Sequence, residues 1–234
     1  MSHEPSEREV RPGQPDHEGH PSYTGHERHP KDDLIQRYNA AERINHWIVA
    51  GTFILLALSG LALFHPSMFW LTNLFGGGPW TRILHPFVGL VMFAGFVWLA
   101  LRLARYNKFE TRDREWMMKI GDVLNNREEN LPEVGRYNAG QKLLFYVMVL
   151  CMLGLLASGI VIWRAYFAFY FPIWVIRLAS DVHAVCAFVL ICGIITHIYA
   201  AIWIKGSVGA MTRGTVTRGW AWKHHRAWYK QLNK

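Results

Sequence analysis

The stretch HAVCAFVLICGIITH, residues 183–197, begins and ends with a histidine and contains no charged residue. It lies in the last of four long apolar runs, which cover residues 47–64, 83–103, 143–163 and 182–204. A helix of about 20 apolar residues crosses a hydrocarbon core about 30 Å thick. Four such runs, separated by polar segments, predict an all-α integral membrane protein built as a four-helix bundle.

The first 37 residues have the opposite composition, with many Pro, Gly, His and charged residues and few large apolar ones. Such a segment cannot bury enough apolar surface to fold, so we predict a disordered tail over residues 1–37 and a membrane domain over residues 38–234. The histidines of the tail are irregularly spaced, which favours a solvated segment over a metal site. No signal peptide is expected, because no short apolar region follows the first residues.

The cysteines limit the kinds of cross-link and cofactor. All three, Cys151, Cys186 and Cys192, lie inside apolar runs, and the sequence has no Cys-x-x-Cys pair. This pattern argues against a disulfide framework, a structural zinc site and covalent attachment of a c-type haem. We interpret the three residues as small hydrophobic side chains.

Lysine and arginine are unevenly distributed between the two sides of the predicted bundle. Of the 25 in the chain, 22 lie before the first apolar run, in or beside the second loop (residues 104–142), or after the fourth apolar run. By the positive-inside rule, both termini are predicted to face the cytoplasm. The net charge of +8 then reflects orientation and contact with anionic lipid headgroups, so it requires no nucleic acid partner.

Two loops carry recognisable patterns. In the second loop, residues 114–126 place five apolar residues at helical spacing, which predicts a short amphipathic helix on the cytoplasmic membrane surface. These residues are Trp116, Met117, Ile120, Val123 and Leu124. The third loop, residues 164–177, is rich in aromatic residues, as is typical of an interfacial belt or of a docking surface for another subunit.

Four histidines lie in or at the ends of the spans, and their depths can be predicted. His183 and His197 are fourteen residues apart, so in a helix they lie on one face and about 21 Å apart along its axis. With both termini inside, His183 is on the outer side and His197 on the inner side. The same argument places His46 inside and His85 outside. The histidines therefore form two depth-matched pairs, His85 with His183 and His46 with His197.

Two pairs of membrane histidines favour haem ligation. A single histidine in a span is more often a polar residue with a partner, or part of a proton relay, than a ligand. Neutral imidazoles are good axial ligands of haem iron, and helix bundles hold cofactors between facing helices. Zinc and copper sites require more ligands than two histidines. Two b-type haems, one above the other, would use all four histidines as axial ligands of iron.

Six segments of this chain resemble a known family. They are ERINHW (42–47), RILHPFVG (82–89), VGRYNAGQK (134–142), GIVIWRAYFAFYFP (159–172), HIYAAIWIKGS (197–207) and WAWKHHRAWY (220–229). Together they are similar to the cytochrome b556 (gamma) subunit of membrane-bound respiratory formate dehydrogenase. The resemblance covers about residues 35–230, and the histidine-rich N-terminal extension is not part of the family's usual pattern.

The resemblance implies a bacterial inner-membrane subunit with two haems b. It implies that His85 and His183 hold the outer haem and that His46 and His197 hold the inner one. Near the inner haem, the residues that match the family's quinone site are Asn138, Gly140 and Gln141. The expected partners are an iron–sulfur (beta) subunit and a catalytic (alpha) subunit with molybdenum or tungsten. Electrons from formate would cross both haems to menaquinone or ubiquinone near the cytoplasmic face, while formate itself is oxidised in the partner.

Three other interpretations are open from the sequence. The cytochrome b of a membrane nickel–iron hydrogenase or of a thiosulfate reductase shares the four-helix, two-haem plan, although RYNAGQK and WRAYFAFYFP favour formate dehydrogenase. A proton or metal-ion transporter would need acidic partners in the predicted spans, which contain none. A haem-free anchor would leave the four histidines unexplained. Asn138 also suits the N-cap of the third span, with or without a quinone.

Overall fold

Helices make up most of the structure, a computed structural model that describes residues 34–125, 127 and 130–232. In chain order the elements are β1 (Leu34–Gln36), α1 (Ala40–Phe64), α2 (Gly78–Ala104), α3 (Thr111–Met118), α4 (Ile120–Leu124), α5 (Ala139–Ile162), α6 (Ile173–Trp203), α7 (Ser207–Thr212), β2 (Thr215–Thr217), α8 (Arg218–His224) and α9 (Arg226–Leu232). Two 3₁₀ segments, Pro66–Phe75 and Ala168–Tyr170, lie in the loops that follow α1 and α5.

Four of these helices, α1, α2, α5 and α6, are long and apolar enough to cross a membrane. No more than 17% of the residues in the apolar window of each helix are buried within the chain. Helices that face lipid are expected to leave apolar side chains on their surface in this way. The predicted all-α, four-helix membrane architecture is confirmed.

Each long helix begins before the apolar run that predicted it. Helix α1 starts with a capping box, in which the Asn39 side chain accepts a hydrogen bond from the Glu42 amide at 2.8 Å and Glu42 accepts one from the Asn39 amide at 3.0 Å. Helix α6 starts after Pro172 and has 31 residues, about 46 Å of helix. Helix α6 is therefore longer than the thickness of the hydrocarbon core. The apolar run in the sequence predicted only the apolar part of this helix.

The long helices form two hairpins, because α1 packs along α2 and α5 packs along α6. Their common core contains four buried residues, Met92, Cys151, Met152 and Leu190. Partly buried residues of α1, such as Phe53, complete this cluster. Leu190 is seven residues from each histidine of the opening stretch, so the apolar core lies at a depth between those two histidines.

The boundary of the predicted disordered tail differs from the structure. Residues 1–33 lie outside the described residues, but Leu34–Gln36 form β1 and pair antiparallel with β2, Thr215–Thr217. Arg37, which follows β1, is only 4% exposed. The pairing partner is about 180 residues away in the sequence, so the local composition that predicted disorder contains no sign of it.

The second loop contains two short helices instead of one, with the break at Lys119. Its helical pattern is thus confirmed, and its position on the membrane surface stays a prediction. In the third loop, Phe169 and Tyr170 are exposed. The last residues predicted for this loop, 173–177, already belong to α6. A role of these aromatic side chains as an interfacial belt or docking surface also stays a prediction.

Candidate functional site

Both predicted histidine pairs come together in the structure. The ring centroids of His85 on α2 and His183 on α6 are 6.3 Å apart, with ring planes at 61°. Those of His46 on α1 and His197 on α6 are also 6.3 Å apart, with planes at 50°. Each pair joins the two hairpins, and all four side chains are half-buried. The pairs lie about 21 Å apart along α6, on one side of that helix.

The spacing within each pair fits one metal ion between two imidazoles. A bond from a metal to an imidazole nitrogen is about 2 Å long. Adding the ring radius on both sides gives roughly 6 Å between the centroids of two rings that share an ion. Among the described residues, no group of three or more His, Cys, Asp or Glu could hold a metal. The geometry therefore suits a metal that brings its own in-plane ligands, as the iron of a haem does.

The two histidine pairs differ in what surrounds their rings. His85 and His183 each contact a serine hydroxyl on the neighbouring helix of their own hairpin through Nδ1. Nδ1 of His46 is buried and has no hydrogen-bond partner in the described part of the chain. The His46 ring instead forms a T-shaped contact with the Trp47 ring, with centroids 5.2 Å apart.

The three residues predicted to bind a quinone lie together at the start of α5. Asn138 and Gln141 form its capping box: Oδ1 of Asn138 accepts from the Gln141 amide at 2.8 Å, and Oε1 of Gln141 accepts from the Asn138 amide at 3.0 Å. At Gly140, a Cβ atom would lie 3.2 Å from the ring of Trp116. The structure thus gives all three a local role in helix initiation and packing, alongside any contact with a ligand.

A buried cluster of arginines and aromatic rings lies next to the start of α5. The sequence did not predict this cluster. Nη2 of Arg37 donates to the carbonyl oxygen of Arg136 at 2.5 Å, and Arg136 donates back to the carbonyl of Arg37. The Arg37 guanidinium lies 4.6 to 5.9 Å from the centroids of four rings, those of Tyr38, Tyr137, Trp220 and Trp228. The cluster joins residues from three distant segments, so local sequence patterns could not reveal it.

A neutral His225 side chain completes the arginine cluster. Nδ1 of His225 donates to the carbonyl oxygen of Gly135 at 2.8 Å, which leaves Nε2 to face Arg37 Nη2 at 3.4 Å. Burial, together with the charge of Arg37, lowers the pKa of His225 to about 3. Burial also lowers the pKa of Arg37 and raises that of Tyr137. The neutral imidazole can therefore accept a hydrogen bond from the guanidinium.

Comparisons with known proteins match the chain to one family model and to several relatives. A family model described as "Prokaryotic cytochrome b561" matches residues 37–214. The chain is 47% identical over 202 residues to the "Formate dehydrogenase, cytochrome b556(fdo) subunit" of Escherichia coli (strain K12), covering 86% of this chain and 95% of the relative. It is 41% identical over 204 residues to the "Formate dehydrogenase, nitrate-inducible, cytochrome b556(Fdn) subunit" of the same strain, covering 87% and 94%. The "Formate dehydrogenase, cytochrome b556 subunit" of Haemophilus influenzae is 41% identical over 200 residues, covering 86% and 84%.

Proposed function

This chain belongs to the family of cytochrome b556 subunits of formate dehydrogenase, and on that premise we propose that it carries electrons across the membrane to a quinone. The electrons come from formate oxidation in a partner subunit with molybdenum or tungsten. They reach this chain through an iron–sulfur subunit on the outer side. The quinone, a menaquinone or ubiquinone, is reduced near the cytoplasmic face. The proposed location is the bacterial inner membrane, with both termini in the cytoplasm.

The observation that carries this proposal is the repetition of one histidine geometry at two depths. Haem b, which the family implies, supplies one-electron chemistry when it is bound. We propose that His85 and His183 hold one haem on the outer side. His46 and His197 hold a second haem on the inner side. Both pairs have the same 6.3 Å centroid spacing, and both include a residue of α6, so one rigid helix sets the distance between the two sites.

At the inner end, we propose that the quinone binds beside the start of α5. Oδ1 of Asn138 is used by the helix cap. The side-chain Nδ2 group is a donor that the cap does not use, so it can bind a quinone carbonyl oxygen. Gln141 and Gly140 would line the same side of the helix start. Quinone reduction takes up protons, so a site on this side would draw them from the cytoplasm.

Single histidine variants of the purified complex test the haem assignment. His85→Ala or His183→Ala should remove the outer haem and leave the inner one, because each iron would lose one of its two axial ligands. His46→Ala or His197→Ala should do the reverse. A pyridine haemochrome assay gives the number of haems, and a reduced-minus-oxidised spectrum shows which remains. A variant that kept two normally ligated haems b would show that the pairing is wrong.

A further inference from the structure

The two helix hairpins present the same dipeptide to the two outer histidines. Ser59 and Gly60 lie near the outer end of α1, and Ser158 and Gly159 lie near the outer end of α5. Ser59 Oγ is 2.7 Å from Nδ1 of His85, the histidine of the following helix. Ser158 Oγ is 3.0 Å from Nδ1 of His183, again on the following helix.

The direction of both hydrogen bonds follows from the serine hydroxyls. Ser59 Oγ lies 2.7 Å from the Leu55 carbonyl oxygen, and Ser158 Oγ lies 2.6 Å from the Gly154 carbonyl oxygen. A hydroxyl has one proton to donate, and here it goes to the helix backbone. Towards the imidazole each serine can therefore only accept. Nδ1 of each outer histidine carries the proton, which leaves the lone pair on Nε2 free for a metal.

Each outer histidine ring lies against a glycine of the neighbouring helix. A Cβ atom at Gly60 would be 3.4 Å from Cε1 of His85, and one at Gly159 would be 3.4 Å from Cε1 of His183. The serines beside these glycines are only 3% and 5% exposed, so water does not compete for their oxygen atoms. The two outer ligands are thus held in matching surroundings by separate hairpins.

The inner ligands have no matching partner within residues 34–125, 127 and 130–232. Nδ1 of His46 is buried without a hydrogen bond. The hydroxyl beside His197, that of Thr196, donates to the Cys192 carbonyl oxygen at 3.0 Å along its own helix. In the described part of the chain, a serine hydroxyl therefore contacts each histidine of the outer pair. Within the same part of the chain, no such contact is made to the inner pair.

We propose that Ser59 and Ser158 are positioning residues that fix the tautomer of the outer ligands and lower the reduction potential of the outer haem relative to the inner one. The inference rests on the proposed function. An acceptor on Nδ1–H raises the basicity of the coordinating imidazole and orients its ring. A more basic axial ligand stabilises ferric iron, so the outer site becomes easier to oxidise. This difference favours electron movement from the outer site to the inner one.

Redox titration of the purified complex tests the role of the serines. Ser59→Ala and Ser158→Ala should each shift the outer midpoint potential to a more positive value, with a larger shift in the double variant. The low-spin ferric EPR signal of the outer haem should move as well. Ser59→Thr keeps a hydroxyl and should restore both properties. Ser180→Ala is the matched control, because the exposed Ser180 hydroxyl donates to the Ile176 carbonyl oxygen and contacts neither pair.

Haem content separates failure of this inference from failure of the proposed function. Each serine variant should retain two haems by pyridine haemochrome assay, and a background with His46→Ala lets the outer site be titrated alone. An unchanged outer potential and EPR signal in both serine variants would overturn the positioning role and leave the haem assignment intact. A wild-type complex without two haems b would overturn the proposed function itself. If Ser59→Ala does not assemble, Ser158→Ala gives the same measurement from the other hairpin.

Discussion

Asn138 caps α5, and substitutions can separate this role from the proposed contact with a quinone. Its Oδ1 atom caps the helix, while its Nδ2 atom is the proposed quinone donor. Asn138→Asp keeps the capping oxygen and loses the amide donor, whereas Asn138→Ala loses both. We expect both variants to slow quinone reduction roughly tenfold, the effect of one lost hydrogen bond, while formate still reduces both haems.

Reoxidation of the reduced haems by added quinone measures this step in the whole complex. If only the cap matters, Asn138→Asp will behave as the wild type and Asn138→Ala alone will be impaired. Normal reoxidation in both variants, with normal sensitivity to a quinone-analogue inhibitor, would move the quinone away from this helix start.

His225 makes the arginine cluster beside the start of α5 sensitive to acid. Its pKa is about 3 in the folded chain and about 6.5 in an unfolded one. Below about pH 6.5, His225 becomes protonated in an unfolded C-terminal segment but stays neutral in the folded cluster. The stability of this segment should therefore fall as the pH drops from about 6.5 towards 3, by at most about 1.4 kcal/mol per pH unit.

Hydrogen exchange of residues 215–232, corrected for the intrinsic rate at each pH, measures the stability of this segment. His225→Gln should remove most of the slope between pH 7 and 5, because it removes the titrating group. His65→Gln, which changes an exposed ring in the first loop, is the control. A segment that keeps the full slope in His225→Gln would show that another group is responsible.

At the scale of elements, α3 is attached to α5 by a buried ion pair. Lys142 Nζ is 2.7 Å from Asp113 Oδ2, and both side chains are 5% exposed. Lys142 also donates to the Lys108 carbonyl oxygen at 2.9 Å. Removing one partner of a buried pair leaves the other charge without compensation and costs about 3–5 kcal/mol. This contact holds Trp116 over Gly140, so it also shapes the proposed quinone region.

Lys142→Met should therefore release α3, which limited proteolysis of residues 105–132 would detect. The matched control is Lys230→Met, which breaks an exposed pair with Glu133 and should cost less than about 1 kcal/mol. Equal protease sensitivity of the two variants would mean that the buried pair contributes no more than the exposed one.

The sequence predicted some of the helices and strands of this fold and missed others. Apolar runs predicted the number and order of the long helices, since a bilayer requires about 20 apolar residues per span. They did not predict that α6 begins at Ile173, because helical hydrogen bonds continue through the aromatic and charged residues of the interface. The β1–β2 pair was missed because strands of three residues, separated by most of the chain, leave no periodic signal.

At the scale of the whole molecule, the histidine pairs were predictable from orientation and helical rise. Lys and Arg predicted a direction of threading, and the 1.5 Å rise per residue predicted the relative depths of His46, His85, His183 and His197. The Ser59 and Ser158 contacts were not predictable, because they depend on the rotation of each helix about its axis. Packing against the neighbouring helix sets that rotation, so the rotation cannot be predicted from hydropathy.

The proposed orientation has a direct test. A reporter that is active only in the cytoplasm should work when fused to the C-terminus and fail when inserted between Gly76 and Gly77 in the first loop. We expect this result because 22 of the 25 Lys and Arg lie in the segments that are predicted to face the cytoplasm. Activity at the first loop would reverse the threading and exchange the inner and outer assignments of both histidine pairs.

Electron transfer in the proposed order, from the outer haem through the inner haem to quinone, can be tested on the complex with His46→Ala. Formate is added first, then excess quinone, while the absorbance of the remaining haem is followed. We predict that formate reduces the outer haem and that quinone fails to reoxidise it, because the inner site that connects the two is lost. In the wild-type complex, quinone should reoxidise both haems. Reoxidation of the outer haem at the wild-type rate in His46→Ala would contradict transfer through the inner histidine pair.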